Sequence, residues 1–170
     1  MSQTSYSRNM TQAFPGMLGD AGPTRTVSAI NAEASASFPA GIFVAEGSSD
    51  TSGRQALLQA DGNAKLMGVV VNVATREDDA DIAPNYSADV LEEGAIWVLC
   101  EEAMAVGNDV YARHTANGAG KLQKGAVRND SDTSNATLVK GARVIDAGTS
   151  SASGGACLIY FSSAAQFATL

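Results

Sequence analysis

From about Thr24 onward the chain is cut into short β-type runs, each ended by a cluster of Gly, Asn, Asp or Ser. The runs read "TRTVSAI", "GIFVAE", "QALLQ", "KLMGVVVNVA", "ADVLEE", "AIWVLCEEA", "DVYAR", "LVKGARVID" and "GACLIYF". Between them stand clusters such as "GSSDTSG", "ADGNA", "NDSDTSN" and "GTSSASGG". Such clusters end strands, because Gly reaches positive φ and Asn, Asp and Ser bond their own backbone. Asp61-Gly62 and Asn117-Gly118 are the candidates for two-residue hairpin turns. Short strands at this spacing predict an all-β fold, a compact sandwich or barrel. Helix is scarce. "SADVLEEGAI" and the C-terminal "SSAAQFATL" could each give one turn, and neither carries an apolar stripe.

Residues 1–24 differ from the rest. "QAFPGMLGDAGPTRT" packs Gly16, Gly19 and Gly22 between Pro15 and Pro23, with neither a period of 2 nor of 3.6. Such a segment cannot continue a helix and makes a poor central strand, so an extended, irregular N-terminal arm is expected. The domain reading is therefore an arm over 1–24, a β-rich domain over 25–163 and a C-terminal tail over 164–170. Within the domain, "AIWVLCEE" is apolar on both faces, which predicts a central strand covered on both sides. Trp97 then packs in the core or in a subunit contact.

Composition removes several function classes. The 170 residues carry a formal charge of −7, and the eleven Lys and Arg are scattered singly. No nucleic-acid surface is expected, since phosphate binding needs clustered cations. No stretch approaches the ~18 apolar residues needed to cross a bilayer. The polar start "MSQTSYSRNM" has no apolar core of a secretory signal. Cys100 and Cys157 each sit in an apolar run, so buried free thiols in a reducing cytosol are expected.

Gly-x-x-Gly-x-x-Gly at 16–22 lacks the spacing and flanks of a dinucleotide loop, and "GAGKL" at 118–122 lacks the hydroxyl residue of a P-loop. His114 is the sole histidine and has no nucleophile elbow to serve, so a solvated histidine at a strand end is expected. "REDDAD" gathers Glu77, Asp78, Asp79 and Asp81. "NDSDTSN" opens like a calcium loop with Asp130, Asp132 and Ser134, yet its sixth and twelfth places hold Asn135 and Gly141. Both read as solvated acidic loops. No catalytic constellation, cofactor site or metal site is expected.

Several of these runs, in order, resemble the cement or decoration proteins of tailed-phage capsids. They are "AFPGMLGDAGPTRTVSAINAE", "FPAGIFVAEG", "KLMGVVVNVA", "YSADVLEEGAIWVLCEEAMAVGNDVYARHTANGAGKLQ" and "GARVIDAGTSSASGGACLIYF". The resemblance covers residues 13 to 161; the segments at 129–136 and 147–155 are longer than the family pattern. It implies a small β-sandwich or jelly-roll-like domain and no enzyme activity. It also implies a place on the outer surface of the expanded head, clamping neighbouring major capsid protein subunits. The protein would be made in the host bacterial cytoplasm and act in the virion. A homodimer is favoured over a homotrimer. On this reading the arm is ordered by its partner, with Phe14, Met17 and Leu18 as anchors and Pro15, Gly16, Gly19 and Asp20 completing the contact; the alternative is that residues 1–24 fold back onto their own domain. Removing residues 1–22 would then leave a folded domain. The alternatives are a carbohydrate- or receptor-binding β module, which usually needs exposed aromatics or calcium, and a small hydrolase built on His114.

Overall fold

The computed structural model describes residues 13–19, 22–48, 53–72, 81–117 and 120–162. Among these residues there is no helix, and nine strands form. They are β1 (Arg25–Asn31), β2 (Phe43–Glu46), β3 (Gln55–Leu57), β4 (Leu66–Val70), β5 (Ser87–Cys100), β6 (Asp109–Arg113), β7 (Val127–Arg128), β8 (Ala136–Asp146) and β9 (Gly155–Phe161). Each expected run contains a strand. "SADVLEEGAI" is not a helical turn, however; it is continuous with "WVLC" in the 14-residue β5. The two-residue β7 is too short to show a period and was not foreseen.

Pairing follows two closed circuits that share β5. The first runs β1-β3-β2-β4-β5 and closes by β1–β5. The second runs β5-β7-β6-β8-β9 and closes by β5–β9. Of the sandwich, jelly-roll and barrel alternatives, barrel closure is what the hydrogen bonding makes. The N-terminal half of β5 pairs with β1, from Ile30↔Ser87 to Arg25↔Glu93. Its C-terminal half pairs with β9, from Gly94↔Phe161 to Cys100↔Gly155. The handover falls at Gly94, whose φ of 128° is a conformation that L side chains rarely adopt. A Cβ there would also lie 3.0 Å from Thr24 Cγ2 and 3.1 Å from the Pro23 carbonyl oxygen.

The expected hairpin turns are corrected by this topology. Asp61-Gly62 does turn, with Asn63 N–H donating to Asp61 Oδ1 at 2.8 Å. Its flanking strands β3 and β4 are not partners, because β2 lies between them. Asn117 N–H donates to the Lys121 carbonyl in a wider loop toward β7; Gly118 is outside the described residues.

Each barrel has its own packing. Val44, Ala56, Val70, Ala88 and Val90 fill the first with Phe38 and Ile42. Ile96, Val98, Val110, Val144 and Ile159 fill the second. Phe43 packs with the second group, its ring 5.7 Å from that of Phe161 at 57°, so β2 of the first barrel also contributes to the second barrel's packing. The two-sided burial expected of "AIWVLCEE" holds from Ala95 to Val98. Beside the handover, buried Glu92 is clamped by Arg54 at 2.6 Å and Arg25 at 3.0 Å, which ties β1 and the approach to β3 onto β5.

Gly94→Val is expected to cost about 1–3 kcal/mol from backbone strain, with more from contact with Thr24. Urea unfolding measures it; a variant within about 0.5 kcal/mol of wild type, the usual range for an unconstrained surface site, would contradict the handover.

Candidate functional site

Over residues 95–97, β5 gives one edge to β9 and the other to the N-terminal segment. Gly16 N–H donates to the Trp97 carbonyl at 2.7 Å, Trp97 N–H to the Met17 carbonyl at 2.9 Å, and Gly19 N–H to the Ala95 carbonyl at 2.8 Å. Leu18 and Ile96 form an antiparallel bridge. The Gly16 carbonyl accepts from Asn72 N–H at 2.9 Å, which stitches the same peptide to the chain leaving β4. A turn at Pro15-Gly16, closed by Met17 N–H on the Phe14 carbonyl, aims the segment along β5. Gly16 has φ 87°, and a Cβ there would lie 2.6 Å from Asn72 N and 2.7 Å from Ala40 Cβ, so no larger residue fits.

The side chains then divide between two directions. Ala13 and Met17 turn inward and pack with Trp97, Ala156 and Leu158. Phe14 and Leu18 stay 47% and 42% exposed. Pro15 rests on Gly41, where an added Cβ would come within 2.5 Å of the proline ring. The structure thus brings Phe14 to Gly19 together on one face; Asp20 lies outside the described residues. Of the three expected apolar anchors, Met17 is engaged by the chain's own Trp97 cluster, while Phe14 and Leu18 face out. The signal for this cover lies in β5 itself. A strand apolar on both faces needs cover over Trp97, and Ala13 and Met17 are apolar residues that belong to no strand.

His114 is not solvated as expected but buried, at 8% exposure. The Asp61-Gly62 turn lies over it, a Cβ on Gly62 falling 3.5 Å from its Nε2. Nδ1 lies 2.8 Å from the Thr115 hydroxyl. Burial pushes its pKa below the ordinary histidine value, against the pull of Asp61 and with help from Lys124 and Arg113.

The loop at 130–134 is exposed at all but Asp132, as expected of a solvated loop, and it also caps the second barrel through its carboxylates. Arg113 is fully buried and binds Glu101 Oε1 at 2.5 Å, Asp132 Oδ2 at 2.6 Å and the Thr115 carbonyl at 2.7 Å. Arg128 binds Asp130 at 2.6 Å. Asn117 Nδ2 donates to the same Asp132 oxygen at 2.6 Å. To place these groups, Asp132, Thr133 and Ser134 take φ of 43°, 55° and 70°, a local strain held by the ion pairs. The carboxylates serve guanidinium groups, and among the described residues no group of three or more His, Cys, Asp or Glu is arranged to hold a metal. Glu77, Asp78 and Asp79 are outside the described residues, and Asp81 is exposed.

The Arg113 hydrogen bond, with help from Asn117 and Arg128, holds the Asp132 carboxyl below its ordinary pKa although partial burial opposes this. The folded carboxyl therefore binds fewer protons than the unfolded one. Its stabilisation is complete above the unfolded value of about 3.9 and is lost as pH falls through the lower folded value. Asp132→Asn removes this dependence. Wild type should lose its advantage over the variant as pH drops below about 4, in urea unfolding at stepped pH; parallel stability curves for the two proteins would contradict it.

Comparison with known proteins finds a family and similar solved structures. A family profile described as "Structural cement protein (E217 gp24/Pam3 gp6)" matches residues 2–162. A solved chain from "The capsid of Myoviridae Phage XM1" is similar with a TM-score of 0.69 and 15% identity, over 95% of this chain and 97% of that one. At that identity the likeness concerns the fold. No curated protein matches the chain.

Proposed function

The chain belongs to the structural cement protein family, and we propose that it binds the outer surface of the expanded phage head and cements neighbouring major capsid protein subunits against internal DNA pressure. Family membership makes it a structural, non-enzymatic protein of the virion that associates with the capsid. The hydrolase alternative falls with that membership.

The observation that carries the proposal is the outward pair Phe14 and Leu18 on a segment whose main chain is already fixed to β5. A pre-ordered apolar ledge binds without the ordering cost that a disordered arm would meet on docking. Each such side chain, once covered, contributes on the order of 1–2 kcal/mol. That is modest per site, but every copy acts in parallel, and binding stabilises the lattice by mass action. Pro15, Gly16, Met17 and Gly19 hold the ledge in place, and Asp20 follows it in sequence. Both barrels are closed circuits, so copies of the chain would meet through side-chain faces rather than through open strand edges. A homodimer is favoured over a homotrimer. The protein, made in the host cytoplasm, acts on the outside of the capsid.

The test is co-sedimentation with expanded, undecorated heads of the parent phage. Wild type should saturate at a fixed ratio to the capsid subunit. The double variant Phe14→Ser, Leu18→Ser keeps every main-chain bond of the segment. It should unfold at the wild-type urea midpoint yet bind at least about tenfold more weakly, or about 1.4 kcal/mol. Equal binding by the two proteins would remove the ledge from the interface, and failure of wild type to sediment with heads would remove the function.

A further inference from the structure

Cys100 and Cys157 lie on β5 and β9, which pair antiparallel with Val98 opposite Cys157 and Cys100 opposite Gly155. The two cysteines are thus diagonal neighbours on the face that lines the second barrel. Both are free thiols, and the Cys100 thiol donates to the Cys157 sulfur across 2.9 Å. A disulfide at about 2.05 Å needs less than about 1 Å of further approach, within reach of side-chain rotation and with no change of strand register. The chain has no other cysteine.

Their surroundings differ. A cavity of about 380 Å³ opens at the end of β5, walled by Leu99, Cys100, Lys121, Leu122 and Ser153. Cys100 is on its wall. Cys157 is not among its lining residues, and both cysteines are buried, Cys100 at 2% and Cys157 at 0% exposure. Contact with the Cys100 thiol, and then burial, push the Cys157 thiol far above the ordinary cysteine range.

We propose that Cys100 and Cys157 form an intrachain disulfide on exposure to a peroxide-class oxidant, with Cys100 as the reacting thiol at the cavity and Cys157 as the resolving thiol behind it. Cys100 sulfur attacks one peroxide oxygen, the O–O bond breaks, and water leaves as Cys100 becomes a sulfenic acid. Cys157 sulfur then displaces the sulfenic oxygen, which departs as a second water with the Cys157 proton. Two thiols and one hydrogen peroxide give one disulfide and two waters. A reducing cytosol keeps the pair as thiols, and an oxidising medium converts it. The bond welds β5 to β9 and closes the second barrel covalently. It does not depend on head binding.

The full-length chain, freed of reductant while folded, is treated with hydrogen peroxide. The expected product is lighter by two hydrogens and has no alkylatable thiol in denaturant. After non-reducing digestion it joins the Cys100 peptide to the Cys157 peptide, and it runs as a single chain on a non-reducing gel. Its melting temperature should rise by about 5 °C or more and fall back with dithiothreitol. In Cys157→Ala the reaction should stop at a Cys100 sulfenic acid that dimedone traps, while Cys100→Ala should stay unlabelled. The proposal is overturned if both wild-type thiols remain alkylatable, if the cross-link joins two chains, or if it appears only in unfolded protein. Dimedone labelling of Cys157 in Cys100→Ala overturns the assigned order. If either variant fails to fold, the wild-type cross-link map decides whether the disulfide forms.

Discussion

A strand that belongs to two closed barrels must satisfy two hydrogen-bond registers, and β5 does so by turning at Gly94. Before that residue its partners are β1 and β4; beyond it they are β9 and, at Cys100, β7. The first half brings the Glu92 clamp and the first barrel's packing. The second half brings Ile96, Val98 and Cys100 into the other barrel and leaves Trp97 on the outside. Phe43, from β2 of the first barrel, packs against Phe161 in the second barrel's group.

Sharing one strand has a consequence. Neither β4 nor β7 reaches residues 95–97, so that edge of β5 and the indole beside it would face water. Residues 13–19 fill the place, and the capping serves two purposes. Backbone groups of Ala95 and Trp97 find partners, and two apolar side chains are held outward at fixed positions. Because those bonds belong to the chain's own barrel, truncation through residue 22 would strip an edge from β5. At the far end of the second barrel, the Glu101–Arg113–Asp132 group closes the opening with charge rather than with apolar cover. Arg113 can be fully buried because Glu101, Asp132 and the Thr115 carbonyl take up its donors.

Strand positions were legible because alternation and turn clusters act locally. The path of β5 was not: "SADVLEEGAI" carries two glutamates and a glycine that read as a break, whereas Glu92 is buried by arginines distant in sequence and Gly94 is the turn between sheets. Long-range partners also decided His114, whose burial comes from a turn more than fifty residues earlier, and Asp132, whose calcium-like spacing is spent on Arg113. Residues 13–19 form neither helix nor strand, in keeping with their Gly and Pro punctuation. That their glycines allow close approach was also legible, but the surface approached is β5 of the same chain. The nearness of Cys100 to Cys157 depends on the β5–β9 register, which local sequence does not reveal.

Hydrogen exchange at Gly16, Gly19 and Trp97 tests most directly whether the N-terminal segment is part of the fold before any partner arrives. In the free protein these three amides should exchange as slowly as neighbouring amides of the β5–β9 ladder, and adding heads should change them little. Exchange of Gly16 and Gly19 at the rate of an unstructured peptide, with protection gained only on heads, would contradict it and show an arm ordered by its partner.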